Sequence, residues 1–141
     1  MDINYAKKLL KEGNYTCVLC KEDIVYTSEL RGVAPMVNYL NKNTDLKGFY
    51  IADKIVGKAV ALLFILAGIK EVYAEVISES ALIILSKYKI IVSYNICSDK
   101  IINRTGTDIC PMEKAVLTIE DPQIGFEKIK ETLSQNFKNK V

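Results

Sequence analysis

Residues 52–59 carry the strongest chemical signal in the sequence, which is Ala-Asp-Lys-Ile-Val-Gly-Lys-Ala in this stretch. The segment lies between a predicted strand and a predicted helix, and its Gly57-Lys58 pair is similar to the end of a phosphate-binding loop. Ala52 replaces the first glycine of such a loop, and Ala59 replaces the hydroxyl that would hold magnesium. Hydrolysis of a nucleoside triphosphate is therefore not predicted.

The same segment favours a simpler anion site. A helix N-terminus offers unpaired N–H groups and a partial positive charge, and Lys58 adds a full one. The site would lie at the carboxyl end of a strand, where open α/β folds bind ligands. We predict a small anionic ligand, a nucleotide or a phosphate-like molecule, in a crevice near Arg31, Asp53 and Lys58. In the alternative interpretation, Asp53 only caps the helix and Gly57 only permits close packing.

Four further residues are candidates by type and position. Glu79 follows a predicted strand and Arg104 lies on a predicted loop, so both join the ligand-binding set. Cys110 precedes a proline at a predicted helix start, where a thiol can become a nucleophile, and Glu113 is in the capping-box position. The chain has no histidine to act as a base, so Cys110 and Glu113 are catalytic candidates without an assigned reaction. Their alternative role is capping and packing.

The cysteines do not predict a metal site. Cys17, Cys20, Cys97 and Cys110 are enough in number for a four-thiolate zinc centre. Residues 15–20 are rich in β-forming types, however, and positions three apart on a strand point to opposite faces of the sheet. The two sulfurs of the Cys17–Cys20 pair therefore diverge. We predict buried cysteines, with no metal and no cofactor.

Composition narrows the class of protein. The chain has 141 residues, of which 50% are hydrophobic and 26% charged, with a formal net charge of +2. The hydrophobic fraction excludes intrinsic disorder. The net charge is too small for the clustered excess of Lys and Arg that a nucleic-acid-binding protein needs. The apolar run at 59–69 is shorter than the roughly 20 residues of a membrane span. We expect one cytoplasmic domain over residues 1–141, with neither a nucleic acid nor a membrane as partner.

The apolar periodicity predicts a helix, a β-hairpin, and then three strands separated by helices. The predicted strands are 15–20, 24–27, 49–52, 72–77 and 90–94. The predicted helices are 2–12, 33–40, 54–67 and 79–88, with further helices beginning at Pro111 and Pro122 and a loop over 95–109. This order indicates an α/β protein, specifically a three-layer α/β/α sandwich whose five-stranded mixed sheet has one antiparallel strand.

This order of elements, up to about Tyr94, is similar to the cytidine-deaminase-like fold. Within that superfamily the chain resembles an uncharacterised family of small proteins, a domain of unknown function. The likeness is carried by residues 12–17, 31–33, 52–59, 76–79 and 103–113. The family brings no established activity with it.

The resemblance implies where zinc ligands would stand. Deaminases place His-or-Cys-Ala-Glu at the start of the helix after the hairpin, and Pro-Cys-x-x-Cys at the start of the next one. The corresponding residues are Val-Ala-Pro at 33–35 and Ile-Val-Gly-Lys-Ala at 55–59, or Ser-Glu-Ser at 78–80 in a second alignment. None supplies the histidine or cysteine that these motifs use to bind zinc. The resemblance therefore implies a deaminase-like fold that is not a zinc deaminase, and whether it is an enzyme stays open.

The predicted helix 54–67 raises the question of oligomers. After Lys58 it has no polar residue, and a helix that is apolar all round needs cover on its outer face. A second copy would supply it, and so would the predicted terminal helix with Ile124, Phe126, Ile129 and Leu133. We predict a homo-oligomer, which the resemblance also implies because deaminase-like proteins tend to oligomerise. The alternative function is accordingly a non-catalytic oligomeric or interaction module that retains only the fold.

We expect the purified protein to contain no stoichiometric zinc and to leave cytidine unchanged, because neither alignment supplies the histidine or cysteine of the zinc motifs. Elemental analysis and a deamination assay check this expectation. A content of about one zinc per chain, the stoichiometry of a catalytic zinc centre, would contradict it.

Overall fold

A five-stranded sheet and six helices make up the part of the chain that the structure describes. The structure is a computed structural model and describes residues 2–101 and 110–139, the last four by backbone alone. The strands are β1 Cys17–Lys21, β2 Ile24–Ser28, β3 Tyr50–Val56, β4 Glu71–Ser78 and β5 Ile91–Ser98. The helices are α1 Ile3–Glu12, α2 Ala34–Asn41, α3 Lys58–Ala67, α4 Glu79–Lys87, α5 Pro111–Ala115 and α6 Pro122–Asn139.

The sheet has the strand order β2-β1-β3-β4-β5. Strand β1 runs antiparallel to both of its neighbours, whereas β3, β4 and β5 are parallel. The reversal between β1 and β2 is a tight turn in which Glu22 adopts a positive φ of 54°. Helices α3 and α4 connect the parallel strands, as crossover connections require. The predicted mixed sheet with one antiparallel strand is therefore confirmed.

The sheet separates two apolar cores. Helix α1 packs on one face, where Ala6 and Leu10 meet Val18 and Cys20. The larger core on the other face includes Cys17, together with residues of α2, α3, α4 and α6. The two sulfurs of the Cys17–Cys20 pair thus point to opposite sides of the sheet, as predicted. No helix in the described ranges has the length and apolar character that crossing a membrane requires.

Helix α3 is covered within the chain. Residues Ala59 to Phe64 are buried, and α6 packs along the outer face of α3. A Cβ atom at Gly125 would lie only 2.8 Å from Cδ1 of Leu62, so a glycine lets the two helices approach closely. Phe126 and Ile129 of α6 are buried as well. Of the two covers that the sequence allowed, α6 is therefore the one present, and the homo-oligomer stays a prediction.

Two boundaries differ from the sequence prediction. Strand β3 continues through Val56, and Gly57, not Asp53, is the N-cap of α3. Residue Ile55 pairs with Val76 of β4, and this pairing outweighs the local tendency of 54–56 to begin a helix. Strand β5 likewise extends to Ser98, because β4 offers a partner along its whole length.

Asp53 is a buried carboxyl group in the middle of the sheet. It lies opposite Cys17 on β1 and Ala74 on β4, and its exposed fraction is 7%. Burial raises the pKa of Asp53 to about 7, although hydrogen bonds from the backbone N–H groups of Ile55 and Lys54 lower it in part. Burial, reinforced by the charge of Asp53, also raises the pKa of the Cys17 thiol well above its usual value. The described position excludes Asp53 as the predicted helix cap.

The raised pKa of Asp53 predicts a pH-dependent stability. Between about pH 4 and pH 7 the folded chain holds a proton on Asp53 that the unfolded chain has lost. As the pH rises from about 4 to about 7, the free energy of unfolding should therefore fall by roughly 4 kcal/mol, the amount that corresponds to this difference in pKa between the folded and the unfolded chain.

Asp53→Asn should abolish this contribution, because the amide keeps the shape of the protonated acid. Urea unfolding at pH 4, 5.5, 7 and 8 measures the difference between wild type and variant, with the exposed turn residue Asp23→Asn as the matched control. An Asp53→Asn variant whose stability follows the wild-type pH profile would contradict the assignment.

Candidate functional site

A pocket of about 500 Å³ lies where the N-termini of α2 and α3 meet α5 and α6. Its wall is largely apolar and comes from five separate parts of the chain. Among the described residues that line it, Arg31 and Glu113 carry charge. The apolar lining includes Val33, Ala34, Ile55, Val60, Ile101, Met112 and Leu133. The pocket is therefore a candidate site for a small molecule that is mostly apolar and has a few polar groups.

Glu113 caps the N-terminus of α3. The N–H group of Lys58 donates to Oε1 of Glu113 at 2.7 Å, and the N–H group of Ala59 donates to Oε2 at 2.8 Å. The N-cap residue Gly57 has no side chain for this task. A buried carboxylate in this position is stabilised by two charge-assisted hydrogen bonds and by the positive end of the helix dipole. The predicted anion site at this helix end is thus filled by a carboxylate of the chain itself.

The packing around Gly57 is tight because of this contact. A Cβ atom at Gly57 would lie 2.6 Å from Cδ of Glu113, which is closer than unbonded carbon atoms approach. Glycine therefore allows the carboxylate to reach the helix end. The close-packing role of Gly57 that the sequence analysis gave as an alternative is present in the structure.

Three of the predicted site residues meet at this pocket. Arg31 is exposed at its rim, just before α2, and its carbonyl oxygen accepts a hydrogen bond from the N–H group of Ala34. Cys110 is half-buried in the wall, and Glu113 is buried beside it. Cys110 is the N-cap of α5, but its side chain makes no capping hydrogen bond. The predicted capping box was wrong, because the Glu113 side chain reaches α3 instead.

The other predicted residues lie elsewhere. The Nζ atom of Lys58 donates to the carbonyl oxygen of Leu117 at 3.1 Å, and Lys58 lines a smaller cavity of about 160 Å³. Asp53 is enclosed in the sheet, and the exposed Glu79 begins α4 outside both cavities. Arg104 lies outside the described residues. The predicted crevice of Arg31, Asp53 and Lys58 is therefore corrected to a pocket that keeps only Arg31 from that group.

Some lining residues had no signal in the sequence. Ile101, Met112 and Leu133 come from three segments that only the folded chain brings together. Each resembles an ordinary core residue, so neither its type nor its spacing predicts a role in a site. In residues 2–101 and 110–139, no group of three or more His, Cys, Asp or Glu side chains is arranged to hold a metal ion.

Comparison with known proteins identifies the family. Residues 5–133 match the family described as TM1506, a domain of unknown function also called DUF1893. The chain belongs to this family. The match confirms the predicted membership of an uncharacterised family, and the description carries neither an activity nor a placement among the deaminases.

A solved structure of another DUF1893 protein is similar throughout. The crystal structure of TM1506 from Thermotoga maritima shares 28% sequence identity with this chain and superposes with a TM-score of 0.82. The likeness covers 94% of this chain and 88% of the Thermotoga chain. A search of curated proteins returned no match.

The contact between Glu113 and Gly57 predicts strong coupling of two substitutions. Glu113→Ala should lower the free energy of unfolding by about 2 kcal/mol, because it leaves two N–H groups of α3 without their acceptor. Gly57→Ala should cost a similar amount, because its Cβ would displace the same carboxylate.

In the double variant the carboxylate is already gone, so Gly57→Ala should cost far less than it does alone. Chemical denaturation of the four proteins measures this coupling. Additive losses would show that the two residues act independently and would contradict the described contact.

Proposed function

We propose that the chain binds a small molecule of the nucleotide class, with one anionic group, in the pocket beside Glu113. The observation that carries the proposal is the pocket itself, whose volume of about 500 Å³ lies within the range of small-molecule sites. Its apolar wall suits a flat ring system. Among the described lining residues, the charged side chains of Arg31 and Glu113 suit the two polar ends of a nucleotide.

Arg31 and Glu113 indicate how the ligand is oriented in the pocket. Arg31 is exposed at the rim and free to turn its planar guanidinium toward a phosphate or carboxylate. Each oxygen of Glu113 accepts one backbone hydrogen bond and keeps a lone pair that can accept another from an amino or ring N–H group. The anionic end of the ligand therefore belongs at Arg31, and its N–H donors belong at Glu113.

We also retain the cytidine-deaminase-like assignment of the fold as a proposal. It is supported by the position of the pocket, since both helix starts that would carry zinc motifs in a deaminase, at residues 33–35 and 55–59, contribute to the wall. Those positions supply Val33, Ala34, Gly57 and Ala59, which have no zinc-binding side chains. On this proposal the pocket keeps the place of a nucleoside site without its metal.

Nucleotide binding should stabilise the folded chain. A ligand at about 100 times its Kd adds about 2.7 kcal/mol of apparent stability, which raises Tm by several degrees. A thermal-shift screen should compare nucleoside monophosphates and diphosphates with the same nucleosides and with inorganic phosphate. Arg31→Ala should weaken the binding of the phosphorylated members about tenfold or more, because it removes a charge-assisted contact.

The control is Lys42→Ala, which removes a positive charge at the opposite end of the same helix, α2. This variant should bind as the wild type does. A screen in which no nucleotide stabilises the wild type contradicts the proposal. Equal weakening in both variants would instead indicate a general charge effect and remove Arg31 from the site.

Thiol labelling tests the location of the ligand. Cys110 lines the pocket, whereas the exposed Cys97 lies on β5, and Cys17 and Cys20 are buried. Alkylation followed by peptide mass spectrometry should show that a stabilising nucleotide slows the modification of Cys110 and leaves that of Cys97 unchanged. Unaltered labelling of Cys110 in the presence of saturating ligand would place the binding site elsewhere.

A further inference from the structure

Strand β5 forms one edge of the sheet and has an unusual surface. In the described part of the chain it pairs only with β4, so the backbone groups that alternate residues direct to its other edge have no partner among these residues. Its large side chains are exposed as well, with Ile91 at 56%, Tyr94 at 44% and Ile96 at 54%. Natural edge strands are normally protected by charges, prolines or bulges. Residues 91–98 contain neither a charged residue nor a proline.

The exposed apolar surface continues next to this edge. Of the exposed large apolar residues in the described ranges, five lie between positions 83 and 96, which places the largest concentration on α4 and β5. Ile83 of α4 is 70% exposed. A strand of eight residues is about 26 Å long, and a stable dimer buries about 800 Å² per partner. Helix α4, which carries Ile83, contacts β5 and lies beside this strand.

We propose that two copies of the chain pair through β5 in antiparallel orientation and form a continuous ten-stranded sheet. A two-fold axis at Tyr94 makes the contact self-complementary, as a symmetric dimer requires. It matches apolar with apolar and polar with polar residues across the axis: Val92 with Ile96, Ile91 with Cys97, and Ser93 with Asn95. The pairing supplies about eight backbone hydrogen bonds.

The charges at the two ends of β5 favour this register. Lys89 stands five residues before Tyr94 and Asp99 five residues after it, so each Lys89 comes opposite Asp99 of the second copy. The symmetry produces this pair of opposite charges twice. Both residues are exposed, and Asp99 also lies at the smaller cavity beside Lys58.

The other edge of the sheet lacks this complementarity. Strand β2 has five residues, and an axis at its centre, Tyr26, would bring Asp23 opposite Glu29 of the second copy. Two acidic side chains at each end oppose such a pairing. The difference between the edges assigns the contact to β5. It is independent of the ligand pocket, whose lining contains no residue of β5.

Sedimentation equilibrium of the full chain tests the proposal. The wild type should have twice the chain mass of 15.8 kDa at micromolar concentrations. Tyr94→Lys should give monomers, because it places two ammonium groups face to face on the axis. Ile24→Lys, a comparable change on β2, should leave the dimer intact. A monomeric wild type, or a dimer that Ile24→Lys dissociates and Tyr94→Lys does not, would overturn the proposal.

A charge exchange tests the register with changes that lie outside the strand. Asp99→Lys should raise the dimer dissociation constant on the order of tenfold, because it turns two exposed attractions into repulsions. Adding Lys89→Asp should restore the wild-type constant, since the opposite charges are then present in exchanged positions. Failure of the second change to restore the dimer would refute the axis at Tyr94. Circular dichroism of each variant verifies that the mass is measured on folded protein.

Discussion

The two hydrogen bonds from the start of α3 to the Glu113 carboxylate connect the parts of the chain that surround the pocket. They fasten the short helix α5 to α3, and α3 is in turn enclosed by the sheet and α6. Gly57 leaves room for the carboxylate, and Lys58 adds a second link through the carbonyl oxygen of Leu117. The Glu113 side chain therefore joins two parts of the pocket wall at one helix end.

The structure buries two carboxyl groups in contrasting surroundings. Glu113 faces the N–H groups of α3, so the helix dipole and two hydrogen bonds compensate its charge. Asp53 lies within a strand, where burial outweighs the hydrogen bonds it receives and brings its pKa to about 7. A helix end can therefore accommodate a buried negative charge that the middle of a sheet penalises.

Local patterns predicted much of the fold. The alternation of strands and helices and the divergence of Cys17 from Cys20 both follow from short stretches of sequence. The start of α3 could not be predicted from local sequence, because pairing with β4 holds residues 54–56 in β3. Arg31, Cys110 and Glu113 could be singled out by type. The contact that gives Glu113 its role spans 55 residues, and no local pattern indicates such a partner.

The cover of α3 has a consequence for biosynthesis. Residues 59–67 leave the ribosome well before α5 and α6, which supply the cap and the outer wall of that helix. During this interval the nascent chain exposes an uninterrupted apolar segment whose partners have not yet been translated. Exposed segments of this kind are the usual targets of chaperones and the usual starting points of aggregation. A longer delay between the synthesis of α3 and that of α6 would therefore prolong the exposure of this segment.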